Sequence, residues 1–169
     1  MSEAYVEPWM RGHYADLHPT IAALLYSFEH ARDDLAKWTE GLDGASICAS
    51  RGKVASVAFH IAHIAGSIER LIAYAKGEQL SDQQLAELRA EKMTSKSRSE
   101  LLELLEEKTR AAEVFLRALD PSELTQQRYI GRKRIATTLG VLLIHIAEHT
   151  QRHVGEAILT TKILRGDYL

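Results

Sequence analysis

Histidines recur at helical spacing in two parts of this 169-residue chain. The segment IHIAEHTQRHVGEA carries His145, His149 and His153 at four-residue steps. The segment FHIAH carries His60 and His63. Two residues four apart on a helix are rotated by about 40° and separated by about 6 Å along the axis, so their imidazoles can converge on one ion. Two such steps, from the first histidine to the third, bring the rotation to about 80°, so we expect one pair from the last segment and a further ligand from the other segment.

These residue types favour a transition-metal site. Neutral imidazoles with few carboxylates suit Zn²⁺, Ni²⁺, Fe²⁺ or Co²⁺ better than Mg²⁺ or Ca²⁺, and we expect Zn²⁺ or Ni²⁺ first, with Fe²⁺ as a further choice. Three protein nitrogens leave one or more coordination positions open for water or a substrate. An open position is the pattern of a catalytic site rather than a structural one.

Two alternatives stay open at this point. The histidines could line the interior of a bundle with hydrogen-bond partners and without any metal. In addition, His145, Glu148 and His149 match H-x-x-E-H, the inverted zinc-protease motif, whose glutamate activates a metal-bound water. Because this motif has two free positions and is matched easily by chance, we interpret Glu148 as a solvated charge at the edge of a bundle.

Four long helical patterns must position these residues. Apolar residues at three- and four-residue steps predict helices over about 19–42, 53–76, 98–119 and 138–164, and a capping box at Ser81 predicts a short extra helix to about residue 92. No strand is predicted. At about 1.5 Å per residue the long helices match in length. The sequence therefore predicts one all-α domain over residues 1–169, a four-helix bundle with a long crossover between helices two and three.

Composition excludes several classes of partner and site. The formal charge of −2 gives no basic excess, so neither nucleic acid nor a membrane surface is expected as a partner. The single cysteine, Cys48, excludes an intrachain disulfide and any multi-cysteine metal site. The N-terminal residues lack the apolar core of a signal peptide. We expect a soluble cytoplasmic protein.

The residues also resemble a known family, the DinB/YfiT-like superfamily. The resemblance rests on SVAFHIAHIAGSIERL, where Ser56 stands seven residues before His63, and on HIAEHTQRHVGEA in the last long helix. It covers roughly residues 17–164. It implies a four-helix bundle with the crossover given above, frequent homodimers, and a divalent metal bound by three histidines.

The resemblance implies a ligand set by position. The helix-two ligand falls on His63, with His60 as the substitute if the alignment shifts by a turn. The pair on the last helix falls on His149 and His153. His145 matches an extra histidine one turn earlier, which we interpret as a neighbour of the ligands or as pocket lining.

The chain departs from the family pattern at two positions of this motif. The family often reads H-x-x-H-H-R-G-Q, whereas this chain has Arg152 for the middle histidine and Glu156 for the glutamine, while Gly155 matches. Metal binding is still expected with these changes, but they do not point to a particular substrate.

What the resemblance implies about activity is broad. Some relatives are S-transferases or isomerases that use low-molecular-weight thiols such as bacillithiol or mycothiol, or metal-dependent hydrolases. We therefore expect a metal-binding protein that activates a thiol or a water for attack on a small-molecule substrate. The alternative is a non-enzymatic metal-binding or stress-associated bundle protein.

Overall fold

The computed structural model describes residues 5–167, which form six α-helices and one β-hairpin. The elements are α1 (Pro19–Trp38), α2 (Gly44–Cys48), α3 (Val57–Ala75), α4 (Asp82–Ala90), α5 (Arg98–Arg117), β1 (Gln127–Ile130), β2 (Ile135–Thr138) and α6 (Leu139–Arg165). Short 3₁₀ turns lie at Pro8–Met10, Glu91–Met93 and Pro121–Thr125. Helices α1, α3, α5 and α6 are the long ones, so the predicted number of bundle helices is confirmed.

Side-chain caps fix where the long helices begin. The hydroxyl of Ser56 accepts a hydrogen bond from the Phe59 amide at the start of α3. Ser97 caps α5 in a reciprocal capping box, and Thr138 caps α6. Each cap satisfies a backbone N–H that has no partner within the helix. At the other end, Gly166 closes α6 in the left-handed conformation, φ 78°.

The long helices share one apolar core. Helix α6 packs against α1 and α3, and α5 packs against α3 and α1. Helix α3 is buried on most sides, as expected for the most apolar helix of a bundle, through Val57, Ile61, Ile64, Ile68 and Ile72. Polar contacts also join the helices, since the Gln151 amide donates to the Ser27 carbonyl oxygen at 2.9 Å. This packing holds the inner faces of α3 and α6 against each other.

The boundaries of two predicted helices are corrected. Helix α3 begins at Val57 rather than near residue 53, because Ser56 is its N-cap and Arg51 pairs with Val54 in an isolated bridge just before it. Helix α1 ends at Trp38 rather than near residue 42. The hydroxyl of Thr39, the residue directly after the helix, donates to the Leu35 carbonyl oxygen. The crossover course of the connection between α3 and α5 stays a prediction.

The β-hairpin was not predicted. Strands β1 and β2 pair antiparallel, from Gln127 opposite Thr138 to Ile130 opposite Ile135. The turn between them places Gly131 and Arg134 at positive φ, 66° and 49°. The Arg128 guanidinium donates to the Ala75 carbonyl oxygen at 2.6 Å and so ties the hairpin to the end of α3. None of the helices within residues 5–167 combines the length and the apolar character that crossing a bilayer requires.

Candidate metal centre

Three histidines from α3 and α6 meet at one point of the bundle. One ring nitrogen from each of His63, His149 and His153 lies within 4.8 Å of the other two. Nε2 of His63 is 3.1 Å from Nε2 of His149. Two nitrogens bound to one tetrahedral Zn²⁺ at about 2.0–2.1 Å stand about 3.3 Å apart, so this spacing suits a shared ion. The structure thus brings together the three residues named from the sequence.

Local helix geometry explains this convergence. His149 and His153 stand one turn apart on α6, and their ring centroids are 4.7 Å apart. His63 lies two turns into α3, beyond the cap that Ser56 provides. The Phe59 ring stacks on the His63 ring, with centroids 5.3 Å apart, and so covers one side of the site. All three histidines are half-buried.

The orientation of His63 is set by a carboxylate from the segment after α4. Oε2 of Glu91 lies 2.7 Å from Nδ1 of His63. A carboxylate can only accept, so this contact places the ring proton on Nδ1 and leaves the Nε2 lone pair free for a metal. The other oxygen of Glu91 accepts from Nη1 of Arg70 at 2.6 Å, and both side chains are buried.

Gly66 makes room for this buried ion pair. A Cβ built at Gly66 would lie 2.5 Å from Oε1 of Glu91 and 2.6 Å from Nη1 of Arg70. Any larger residue would therefore displace the ion pair that orients His63. Glycine in this helix interior is explained by close approach rather than by backbone conformation.

Burial favours the neutral form of two of the candidate ligands, His149 and His153. Desolvation, helped by the neighbouring His153, lowers the pKa of His149 to about 4. Desolvation, together with the nearby His63, also lowers the pKa of His153. Neutral imidazole is the form that binds a metal, so protons compete weakly for these two ligands near neutral pH.

His60 lies next to His153. Its Nδ1 lies 3.0 Å from Nδ1 of His153, and the Glu156 carboxylate lies within 3.3 Å of both nitrogens. Desolvation lowers the pKa of His60 to about 4. His60, His153 and Glu156 form a second group of close ligand atoms. Within residues 5–167, His60 therefore does not belong to the group that contains His63 and His149. It was the alternative to His63 as the ligand from this helix.

His145 and Glu148 lie at the edge of the bundle. The side chain of His145 is 45% exposed, and its Nδ1 is 3.0 Å from Oε1 of Glu148, which also accepts from Arg152. The His145 ring is still a neighbour of His149, with centroids 5.6 Å apart. Glu148 belongs to neither ligand group of the described residues, which agrees with its interpretation as a solvated charge.

Two cavities flank the centre. One of about 520 Å³ includes Gly66, Arg70 and Glu91 in its lining. Another of about 280 Å³ includes Phe59 and Lys92. The histidines are not among the lining residues of either cavity. Phe59 lies at the boundary between the smaller cavity and the site, because its ring lines that cavity and also stacks on His63.

The Glu91–Arg70 pair was not predicted. Glu91 stands in a polar stretch at the end of the short helix, where one acid among several looks like a solvated charge. Arg70 lies within the apolar run of α3, and a charged residue there was the only available signal. Glu156 was noticed as a departure from the family motif, but its contact with His60 was not foreseen.

Comparisons with known proteins agree with this architecture. A search of curated protein sequences finds no match. The fold is similar to the solved structure of YfiT from Bacillus subtilis, which is described as a probable metal-dependent hydrolase with an unusual four-helix bundle topology. The TM-score is 0.63 at 19% identity, over 86% of this chain and 87% of that one, and this likeness supports the fold alone. The family model of the DinB superfamily matches residues 27–157, which contain all three histidines of the centre, and the chain belongs to the DinB superfamily.

Proposed function

We propose that this protein is a divalent-metal-dependent enzyme in which His63, His149 and His153 hold the ion. The observation that carries the proposal is the meeting of three ligand nitrogens within 4.8 Å, from two helices of one bundle. The structurally similar YfiT, described as a probable metal-dependent hydrolase, supports a metal-dependent activity. The donor set also fits, because neutral imidazoles prefer Zn²⁺ or Ni²⁺, with Fe²⁺ as a further choice.

A bound ion with an open position would supply a nucleophile near neutral pH, by lowering the pKa of a water or of a low-molecular-weight thiol. The protein's own residues prepare the site. Glu91 keeps the proton of His63 on Nδ1, and Arg70 holds Glu91 by its other oxygen. The Phe59 ring excludes water from one side of His63.

The substrate class we propose is a small electrophile. The cavity of about 280 Å³ next to Phe59 has room for a small molecule rather than for a polymer. Lys92 lines this cavity and gives it one positive charge, which would favour a substrate with an anionic group. Hydrolysis and thiol transfer both need the same activated nucleophile and differ in whether water or thiol provides it.

Metal content is the first test. The protein is purified without an affinity tag, and its bound metals are measured by elemental analysis. We expect His149→Ala to lower the metal content by one equivalent, because it removes one of three ligands. His145→Ala is the matched control, since this exposed histidine one turn away belongs to neither ligand group. Equal metal content in His149→Ala and the wild type would contradict the ligand assignment.

Activity is the second test. Thiol transfer to a chlorinated aromatic acceptor and hydrolysis of a panel of small esters and amides are assayed with and without a chelator. We expect one of these activities to be lost in the chelator and in His149→Ala, and to persist in His145→Ala. Activity that survives the chelator would contradict a metal-dependent mechanism. A bound metal without either activity would favour the non-enzymatic alternative.

A further inference from the structure

Nδ1 of His153 has possible ligand atoms of two further residues close to it. Nδ1 of His153 lies 3.0 Å from Nδ1 of His60 and 3.2 Å from Oε2 of Glu156. The same Glu156 oxygen lies 3.3 Å from Nδ1 of His60. The three atoms therefore form a nearly equilateral triangle of two nitrogens and one oxygen.

Hydrogen bonds alone do not account for this triangle. A carboxylate oxygen carries no proton, and each neutral imidazole has one N–H at most on its Nδ1. If both Nδ1 atoms carry protons, the two N–H groups face each other at 3.0 Å. If only one does, its N–H can donate to the other nitrogen or to the carboxylate oxygen, but these two acceptors then lie 3.2 or 3.3 Å apart with no proton between them. A cation at the centre would satisfy all three atoms at once.

The dimensions of the triangle suit a transition-metal ion. Ligand atoms bound at about 2.0–2.1 Å stand about 3.3 Å apart around a tetrahedral ion and about 3.0 Å apart around an octahedral one. The three measured edges, 3.0, 3.2 and 3.3 Å, lie in this range. Two imidazoles and one carboxylate suit Zn²⁺, Ni²⁺, Cu²⁺ or Fe²⁺.

The triangle is built into the fold rather than formed by chance at the surface. His60 is 4% exposed and projects from the buried face of α3. Glu156 stands three residues after His153 on α6, so both side chains lie on one face of that helix. The Glu156 side chain is 49% exposed, which leaves a path from solvent to the triangle.

We infer that His60, His153 and Glu156 form a second metal site, and that the His153 ring bridges two ions. In this arrangement Nδ1 of His153 would hold the ion of the second site (the outer ion), and Nε2 would help to hold the ion of the His63 and His149 site (the inner ion). The bridge rests on the proposed function, because it requires the inner ion. A ring that binds metals through both nitrogens carries no N–H, so its proton is released to solvent when the second ion binds.

Zinc titration of the untagged, metal-free protein tests this inference. We expect two equivalents of Zn²⁺ in the wild type and one in either His60→Asn or Glu156→Gln. Glu148→Gln is the matched control, because Glu148 is an equally exposed carboxylate on α6 outside both groups, and it should keep two equivalents. His149→Ala should keep the outer ion alone.

The outcomes separate this inference from the proposed function. A wild type that binds one equivalent, lost in His149→Ala but kept in Glu156→Gln, would overturn the second site and leave the proposed centre intact. One equivalent lost in Glu156→Gln but kept in His149→Ala would overturn the proposed centre and the bridge. If two equivalents bind, the protein loaded with Cu²⁺ should show spin coupling between the ions by electron paramagnetic resonance. Two uncoupled Cu²⁺ signals would overturn the bridge.

Discussion

Oε2 of Glu91 lies 2.7 Å from Nδ1 of His63, on the side of the ring opposite the nitrogen that faces His149. This contact links the short segment after α4 to the candidate metal centre. Because the carboxylate accepts a hydrogen bond from the Nδ1–H of the ring, it selects the tautomer with a free Nε2 and fixes the orientation of the ring. Arg70 donates to the other oxygen of Glu91 and thereby balances its buried charge.

Replacing this carboxylate should lower the affinity for the metal without abolishing metal binding. Glu91→Gln keeps the size of the side chain but removes its negative charge, so we expect the affinity of the inner site to fall by about 10–100-fold. The stoichiometry at saturating metal should not change. Competition with a chromophoric chelator measures the affinity. Glu87→Gln, an exposed acid one turn earlier on α4, is the control, and equal affinities for both variants would show that Glu91 does not act on the site.

Ser56 is expected to act as a helix cap and not as part of the chemistry. Its hydroxyl accepts from the Phe59 amide at 3.1 Å, so Ser56→Ala should destabilise the fold by about 0.5–2 kcal/mol. His63 lies two turns further along α3, so the metal stoichiometry should stay at the wild-type value. Urea unfolding and elemental analysis measure the two effects. Loss of metal at unchanged stability would contradict the capping role.

The fold was predictable because its determinants are local. Apolar spacing, the caps at Ser81 and Ser97, and the glycine at residue 166 indicate helices within windows of one or two turns. The fold's likeness to YfiT confirms the predicted bundle. The hairpin was missed because its four-residue strands carry little alternation, and because Arg128 is held by a carbonyl oxygen far away in sequence, that of Ala75.

Only part of the candidate site was predictable from the sequence. The pair His149 and His153 follows from helical spacing alone, since both residues lie on one helix. The choice between His60 and His63 depends on how α3 is rotated against α6, and the family resemblance, not the spacing, favoured His63. Glu91 could not be predicted, because its contact with His63 joins residues 28 apart that lie in different elements, α3 and the 3₁₀ turn after α4.

Gly66 should be sensitive to substitution although it lies inside a helix. A Cβ at this position would come within 2.6 Å of both partners of the Glu91–Arg70 pair, so Gly66→Ala should displace Glu91 and lower the metal affinity. Gly155→Ala is the matched control, because a Cβ there meets nothing within 4 Å, and it should stabilise α6 by about 0.5–1 kcal/mol. Thermal unfolding and the chelator competition measure both variants. Unchanged metal affinity in Gly66→Ala would contradict the role assigned to the ion pair.

The metal-free protein should lose stability as the pH falls from about 6.5 to about 4. The pKa values of His60 and His149 are both lowered to about 4, mainly by burial, whereas histidine in an unfolded chain titrates near 6.5. Between these values the unfolded state binds more protons than the folded state, so acid favours unfolding, and below about pH 4 the two groups add nothing more. For buried His60 the loss is on the order of 2–3 kcal/mol, and for half-buried His149 it is smaller because of solvent screening.

Urea unfolding of chelator-treated protein at pH 7, 6 and 5 measures this loss. His60→Asn removes one titrating group, so its free energy of unfolding should fall less steeply with pH than that of the wild type. Parallel curves for His60→Asn and the wild type would show that His60 takes up no proton on unfolding in this range, and that burial does not hold it neutral in the folded protein.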